Sequence, residues 1–530
     1  MAAPSVPQHP RTFAPAILVT LVLMSAAGAV IGVQLLTTLG VTPNTSLIGA
    51  LMAMILGRLP LIGLRAFRSV HAQNLAQSAM SAATFGAANS LMMPLGVPYL
   101  LGRPDLVLPM LVGVALAMFL DAYLLYRMFG SRIFPAAAAW PPGLAAAEAI
   151  KAGDRGGRHG RVLGASILCG ALGAWWSLPM AAFGTAFIGN AWALSMFGIG
   201  LLTSGYGESL AGLSLQAHFV PHGMMIGAGL VALAQVARSM RVGAPEASLQ
   251  DSEAAVERGL GRTLRLGLSG YLAIALLIAV SGGLVAQLSL PALVLFVLYA
   301  ALAAFVHELI VGLAAMHSGW FPAFAVALIT LLIGMLLGFP PEALALLTGF
   351  AAATGPAFAD MGYDLKAGFV LRGRGADRGF ELAGRREQFL AATVAFATAL
   401  VVVSFTWRGY FARDLVPPVA RVFVATINGG LAPDVARALL MWALPGALLQ
   451  VAGGTRRQLG VLLSTGLLIS NTGAGWGVLA GMAVRLAWHK GLRRPDGQLE
   501  VVAAGFIAGD ALFSFGDSVA KQQPTLGGGR

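Results

Sequence analysis

The stretch from Ala343 to Gly373 reads ALALLTGFAAATGPAFADMGYDLKAGFVLRG. It starts as an apolar helix, loses its hydrophobicity at Thr354-Gly355-Pro356, and then places Asp360, Asp364 and Lys366 within about two helical turns of one another. An ionisable group near the centre of a bilayer costs roughly 2.5–3.5 kcal/mol on insertion scales, so a cluster of them argues for a water-lined cavity or a translocation path. Irregular backbone at membrane depth is tolerated only where protein or a cavity satisfies its N–H and C=O groups, and Gly355-Pro356 is a candidate break of that kind. The segment reads as a broken, polar-faced helix lining a substrate route.

The rest of the chain supports that setting. Of its 530 residues 57% are hydrophobic and 11% are charged, and the mean hydropathy is +0.79. Apolar runs of about twenty residues recur along the whole length, each long enough to cross roughly 30 Å of hydrocarbon. An outer-membrane barrel would show alternating segments of about ten residues instead. The fold class is therefore all-α: a polytopic integral membrane protein with roughly twelve to sixteen transmembrane or re-entrant helices, in one membrane-embedded unit without room for a sizeable soluble domain. The net charge of +12 comes from Arg residues in short loops between apolar runs, which fits the positive-inside bias and gives no reason to invoke nucleic acid.

Cys169 is the single cysteine, so neither an intramolecular disulfide nor a thiolate metal cluster can form. The run Phe13 to Leu39 is too long for a signal-peptide core and reads as a retained first span. Basic residues are nearly all Arg, alongside many Ala and Gly, which points to a bacterial source and an inner-membrane location.

In order along the chain, spans one and two are joined by a turn expected at Thr42-Pro43-Asn44. Asn74 to Leu100, NLAQSAMSAATFGAANSLMMPLGVPYL, is rich in Asn, Gln, Ser and Gly, and such residues let helices approach and bond across one another or to a ligand. This is a second candidate for the lining, with packing alone as the alternative. Leu106 to Tyr126 is a cleaner span carrying Asp121. Trp140-Pro141-Pro142-Gly143 precedes a short Ala-rich helix expected at the cytoplasmic interface. Three apolar runs then lead to a basic loop at Arg238 to Arg265, one crossing too many for the charge rule, so either one of the runs is re-entrant, first at Thr203 to Glu208, or the three runs are not three spans. The run Leu459 to Trp488 is interrupted at Ser470-Asn471-Thr472-Gly473, which reads as a hairpin or two half-helices. The tail Lys521 to Arg530 is Gly-rich and expected to be disordered.

Three motifs bear on chemistry. His307-Glu308-Leu309-Ile310-Val311 begins like a zinc-protease helix, yet Val311 stands where the second histidine would be, so two ligands cannot be presented one turn apart. His307 and Glu308 inside an apolar helix suit proton carriage instead, with a structural polar pair as the alternative. Glu208, His218 and His222 form a loose group interrupted by Pro221. No GxxxxGK[ST] motif occurs, so transport would be driven by an ion or substrate gradient. No enzyme activity, metal or cofactor is expected.

The segments NLAQSAMSAATFGAANSLMMP, AAWPPGLAAAEAIKAGD, AAGFIAGDALFSF and above all FADMGYDLKAGFVLRG followed by REQF resemble, in order, those of the oligopeptide transporter family, which includes the yellow stripe-like metal-chelate transporters. The Asn-Pro-Gly motif of the peptide branch is not visible, and GLAAMHSGWFPAFAVAL has Met316-His317 where the yellow stripe-like branch tends to carry Asn-Pro, so the branch stays open. The resemblance implies a secondary transporter, commonly proton-coupled, moving small peptides or peptide-like metal chelates, with a homodimer as a compatible assembly. On this reading Asn74, Gln77 and Asn89 bond substrate amides, Asp360, Asp364 and Lys366 offer both charge signs, and His307 with Glu308 carries the proton. For Asp364 and Lys366 the alternative is a pair that anchors the helix end. A passive channel or facilitator for small polar solutes is the rival reading of the whole chain.

Overall fold

The computed structural model describes residues 9–40, 45–60, 62–212, 214–242, 251–430, 434–469, 471–490 and 497–521. Within them the chain is helical throughout: α1 (Pro15–Leu39), α2 (Ser46–Arg58), α3 (Val70–Phe85), α4 (Met93–Leu100), α5 (Val107–Met128), α6 (Pro141–Arg155), α7 (Gly157–Trp175), α8 (Met180–Thr185), α9 (Ala191–Ala211), α10 (Val220–Val242) and α11 (Asp251–Ser281). The second half adds α12 (Leu284–Gln287), α13 (Leu290–Ser318), α14 (Ala323–Leu336), α15 (Pro341–Ala353), α16 (Pro356–Leu371), α17 (Arg378–Phe411), α18 (Pro418–Gly429), α19 (Val435–Arg457), α20 (Leu459–Ile469), α21 (Thr472–Lys490) and α22 (Gly497–Lys521). Between α3 and α4 the backbone continues as a π-helical turn, Gly86–Met92.

Local sequence explains many of these boundaries. Proline opens α1, α6, α15, α16 and α18, where its missing N–H would have no partner anyway. Side chains of Ser69, Asn190 and Asp377 accept backbone N–H groups at the starts of α3, α9 and α17. Among the described residues eight helices are long and apolar enough to cross a membrane, α15 and α16 counting together as Pro341–Leu371. Shorter apolar helices, among them α2, α14 and α20, stand beside them.

Outward faces are apolar: Leu440, Leu444 and Leu448 recur along one side of α19, and Phe405 projects from α17. A soluble protein would not expose such a stripe, whereas in hydrocarbon it costs nothing. The centre is the reverse. Helix α3 is buried all round from Ala72 to Phe85 although it carries Gln73, Asn74, Gln77, Ser78, Ser81 and Thr84. It packs against α1, α2, α16 and α17, while α16 also packs against α5, α6 and α13.

Two sequence expectations are corrected here. Thr203 to Glu208 lies inside the unbroken helix α9; the interruption falls earlier, at residues 186–190, between α8 and α9. Gly and Ser are compatible with a helix in a membrane, whereas Asn190 caps a new one, and Arg485 Nη1 donates to the carbonyls of Ala186 and Gly189 that the interruption leaves open. The Ala-rich helix α6 is buried from Pro141 to Ile150. Gly143 lies so close to Tyr363, and Gly362 so close to the Trp140 ring, that a side chain at either would collide. The basic segment 238–265 is mostly helix, α10 running to Val242 and α11 starting at Asp251. The expected turn at Thr42-Pro43-Asn44 and the tail beyond Lys521 lie outside the described residues.

Candidate functional site

The apolar segment Pro341–Leu371 is broken where its composition predicts. Helix α15 ends at Ala353, α16 restarts at Pro356, and Gly355 between them adopts φ 93°, a left-handed conformation that L side chains resist. Because α16 restarts there, Asp360 and Asp364 fall four residues apart on one face and Ser81 and Gln77 fall four apart on the facing side of α3. The two pairs close on each other: Ser81 Oγ donates to Asp360 Oδ1 at 2.5 Å, and Gln77 Nε2 donates to Asp364 Oδ1 at 2.6 Å. The rising index on one helix meets the falling index on the other, so α3 and α16 run antiparallel here.

Asn74 Nδ2 extends the seam by donating to Gln77 Oε1 at 2.8 Å, and Ser46 Oγ meets Ser81 Oγ at 2.8 Å. All these side chains are buried. The second carboxylate oxygens, Asp360 Oδ2 and Asp364 Oδ2, have no hydrogen-bond partner among the described residues. A buried carboxylate oxygen without a donor is costly, and a cationic or amide donor from a ligand would satisfy it.

Further along α16 the seam becomes basic. Gln388 Nε2 on α17 donates to Ser78 Oγ and to the Asp364 carbonyl, while its Oε1 accepts from Arg372. Glu381 holds both Arg372 at 2.8 Å and Arg385 at 2.7 Å, all of them buried. Lys366 turns away from the carboxylates and donates to the carbonyls of Ala136 and Ala138, at 3.0 and 2.7 Å. Asn89 is buried on the π-helical turn, further along the same polar stretch.

A second polar cluster lies at the break itself. Tyr271 of α11 places its hydroxyl 2.5 Å from Asp121 Oδ1 of α5 and 2.6 Å from Glu308 Oε2 of α13. Asp121 Oδ2 accepts the Gly355 N–H at 2.8 Å. His307 adjoins Glu308 in sequence but faces elsewhere: Nε2 donates to the Ala323 carbonyl at 2.7 Å and Nδ1 meets Thr354 Oγ1 at 3.2 Å. So Asn74, Gln77, Asp360 and Asp364 meet in one seam, Glu308 joins Asp121 through Tyr271, and Lys366 and His307 serve neighbouring backbone and side-chain groups. Sequence reasoning noted Asp121 but passed over Tyr271, Ser81, Arg372, Glu381 and Gln388. A lone tyrosine within an apolar run was the available signal for Tyr271, since a buried phenol needs a polar partner.

A cavity of about 210 Å³ opens between α5, α11 and α17, lined by Arg127, Thr263, Arg378 and Arg385 among others, and by none of these carboxylates. Among the described residues no three His, Cys, Asp or Glu side chains are grouped to hold a metal ion.

A family model described as OPT oligopeptide transporter protein matches residues 14–247 and 176–521. The chain belongs to the oligopeptide transporter family. No curated protein matches it in sequence. Membership makes this helical chain a membrane transport protein.

Proposed function

We propose that the protein is a secondary active transporter carrying small peptides or peptide-like metal chelates across the bacterial inner membrane, coupled to protons and working by alternating access. The observation that carries this reading is the α3–α16 seam, where two buried carboxylates each keep one oxygen without a donor among the described residues, beside the amides of Gln77 and Asn74. A peptide amino group, or the ammonium of a chelate, meets Asp360 and Asp364; peptide-bond groups meet Gln77, Asn74 and, further along, Asn89. Lys366 holds the Ala136–Ala138 segment against α16, so its part is to fix the helix that bears the carboxylates. Proton coupling is assigned to Glu308, with His307 joining the same helix to Thr354 at the break. A helix broken beside the site, as at Gly355, is typical of transporters in which one bundle rocks against another around a fixed site.

The test is saturable uptake of a labelled small peptide into proteoliposomes, compared with the same peptide acetylated at its amino group. The reading expects Asp360→Asn and Asp364→Asn to raise KM for the free-amine peptide at least about tenfold, the loss of one charge-assisted hydrogen bond. Equal KM values in wild type and both variants would remove the seam from substrate binding.

A further inference from the structure

The Tyr271 hydroxyl has one proton and two close carboxylate neighbours. It donates to one of them, and the other then faces a phenol lone pair at hydrogen-bond distance, which is attractive only if that carboxyl is itself protonated and donates to the phenol oxygen. The contacts around the site decide which carboxyl that is. Asp121 accepts a second donor, the Gly355 N–H at the amino end of α16, where backbone N–H groups favour negative charge. Glu308 Oε1 has no partner among the described residues. Asp121 is therefore the anion, and Glu308 the acid.

We propose that Glu308, Tyr271 and Asp121 form one proton-carrying unit, in which a single exchangeable proton is shared between two carboxyls across the phenol and tied through Gly355 to the hinge of the broken helix. In the loaded unit Glu308 Oε2–H donates to Tyr271 Oη, Tyr271 Oη–H donates to Asp121 Oδ1, and the Gly355 N–H donates to Asp121 Oδ2. Loss of the proton leaves two carboxylates with one phenol proton between them, buried in apolar surroundings and without a basic partner among the described residues. Like charges so placed repel, and α5 and α13 separate about Tyr271. Since Asp121 also holds Gly355, that separation is felt at the hinge between α15 and α16, one turn from Asp360.

Other titratable groups on the surrounding helices are engaged elsewhere. His307 bonds Thr354 and Ala323, Asp360 bonds Ser81, Tyr363 bonds the Gly319 carbonyl, and Glu342 pairs with Arg103. Arg127 on α5 meets Tyr123, Arg265 on α11 meets the Gly261 carbonyl, and Glu381 on α17 pairs with Arg372 and Arg385.

The proposal rests on the proton-coupled reading for its use, while the shared proton itself is a property of the folded protein without substrate. The experiment is infrared difference spectroscopy of the carboxylic acid C=O band in substrate-free proteoliposomes, for wild type, Glu308→Gln, Asp121→Asn and Tyr271→Phe, with gradient-driven peptide uptake measured on the same samples and thermal unfolding reporting the fold. The expected result is a protonated-carboxyl band at neutral pH that is lost in Glu308→Gln and shifted in Tyr271→Phe, together with loss of gradient-driven accumulation. If Glu308→Gln does not fold, the Tyr271→Phe shift carries the test, since that change removes only a hydroxyl. Carboxyl spectra identical in wild type and Tyr271→Phe would overturn the shared proton. The expected band combined with wild-type uptake indifferent to the gradient would overturn the coupling role and the proton-driven reading together, leaving the spectroscopic result as a separate fact.

Discussion

Gln77 Nε2 donates to Asp364 Oδ1 at 2.6 Å, joining α3 to α16 across 287 residues of chain. The contact supplies a donor to a buried carboxylate, so the two residues answer differently to substitution. Removing the donor in Gln77→Leu leaves a buried carboxylate worse satisfied and is expected to destabilise the fold by about 1–3 kcal/mol. Removing the charge in Asp364→Asn relieves an unfavourable burial and is expected to leave stability near or above wild type. Thermal unfolding in detergent separates them, the leucine variant falling below the asparagine variant; the reverse order would contradict the assigned donor.

Gly355→Ala is expected to cost about 1–2 kcal/mol from its left-handed backbone alone, φ being 93°. The added methyl group also meets the Val311 side chain of α13 at about 2.9–3.1 Å. Lowered melting temperature with reduced uptake is the expected outcome. A variant with wild-type melting temperature and uptake would show that the break needs no special backbone.

Glu381→Gln leaves the buried guanidinium groups of Arg372 and Arg385 without a countercharge. Breaking a buried ion pair from one side costs about 3–5 kcal/mol, so the variant is expected to unfold at markedly lower temperature. The loss should persist in high salt, because the groups are shielded from solvent ions, unlike the exposed Arg421–Asp414 pair.

His9 lies ahead of α1, its ring against those of His71 and Phe380. Burial pushes its pKa down from 6.5 to about 4. The folded state therefore favours the neutral ring while the unfolded segment takes a proton near 6.5, so the docking of this segment is fully stable above that value and weakens as pH falls toward 4. Protection factors of residues 9–14, with the slowing of intrinsic amide exchange at lower pH divided out, are expected to fall between about pH 7 and about pH 5 in wild type but not in His9→Phe. Equal pH dependence in both would assign the effect to another group.

The sequence shows much of the fold because the strongest breaks come from residues that cannot do otherwise. Pro356 lacks an N–H and clashes with a preceding turn, so a new helix had to start there; the expected break in the run Leu459 to Trp488 falls between α20, which ends at Ile469, and α21, which starts at Thr472. Residues 186–190 give little signal in the sequence, because Gly189-Asn190 is a short cap between two apolar runs, while Gly and Ser at 203–208 stay helical when neighbouring helices pack on them. The seam was partly legible: Asp360, Asp364, Gln77 and Asn74 stand out as polar groups in apolar runs. Their partners did not, since Ser81 reads as a small packing residue and Arg372 as a loop charge. That Glu308 would find Asp121 through Tyr271, and not through adjacent His307, is fixed by how α5, α11 and α13 pack, which a single sequence does not state.

The central claim is proton-driven transport, and its most direct measurement is accumulation of a labelled small peptide, and of a metal chelate, inside proteoliposomes with and without an inward proton gradient. The account predicts accumulation above equilibrium only with the gradient, abolished by Glu308→Gln. Equal uptake under both conditions, reaching equilibrium and no further, would contradict it and make the protein a passive facilitator.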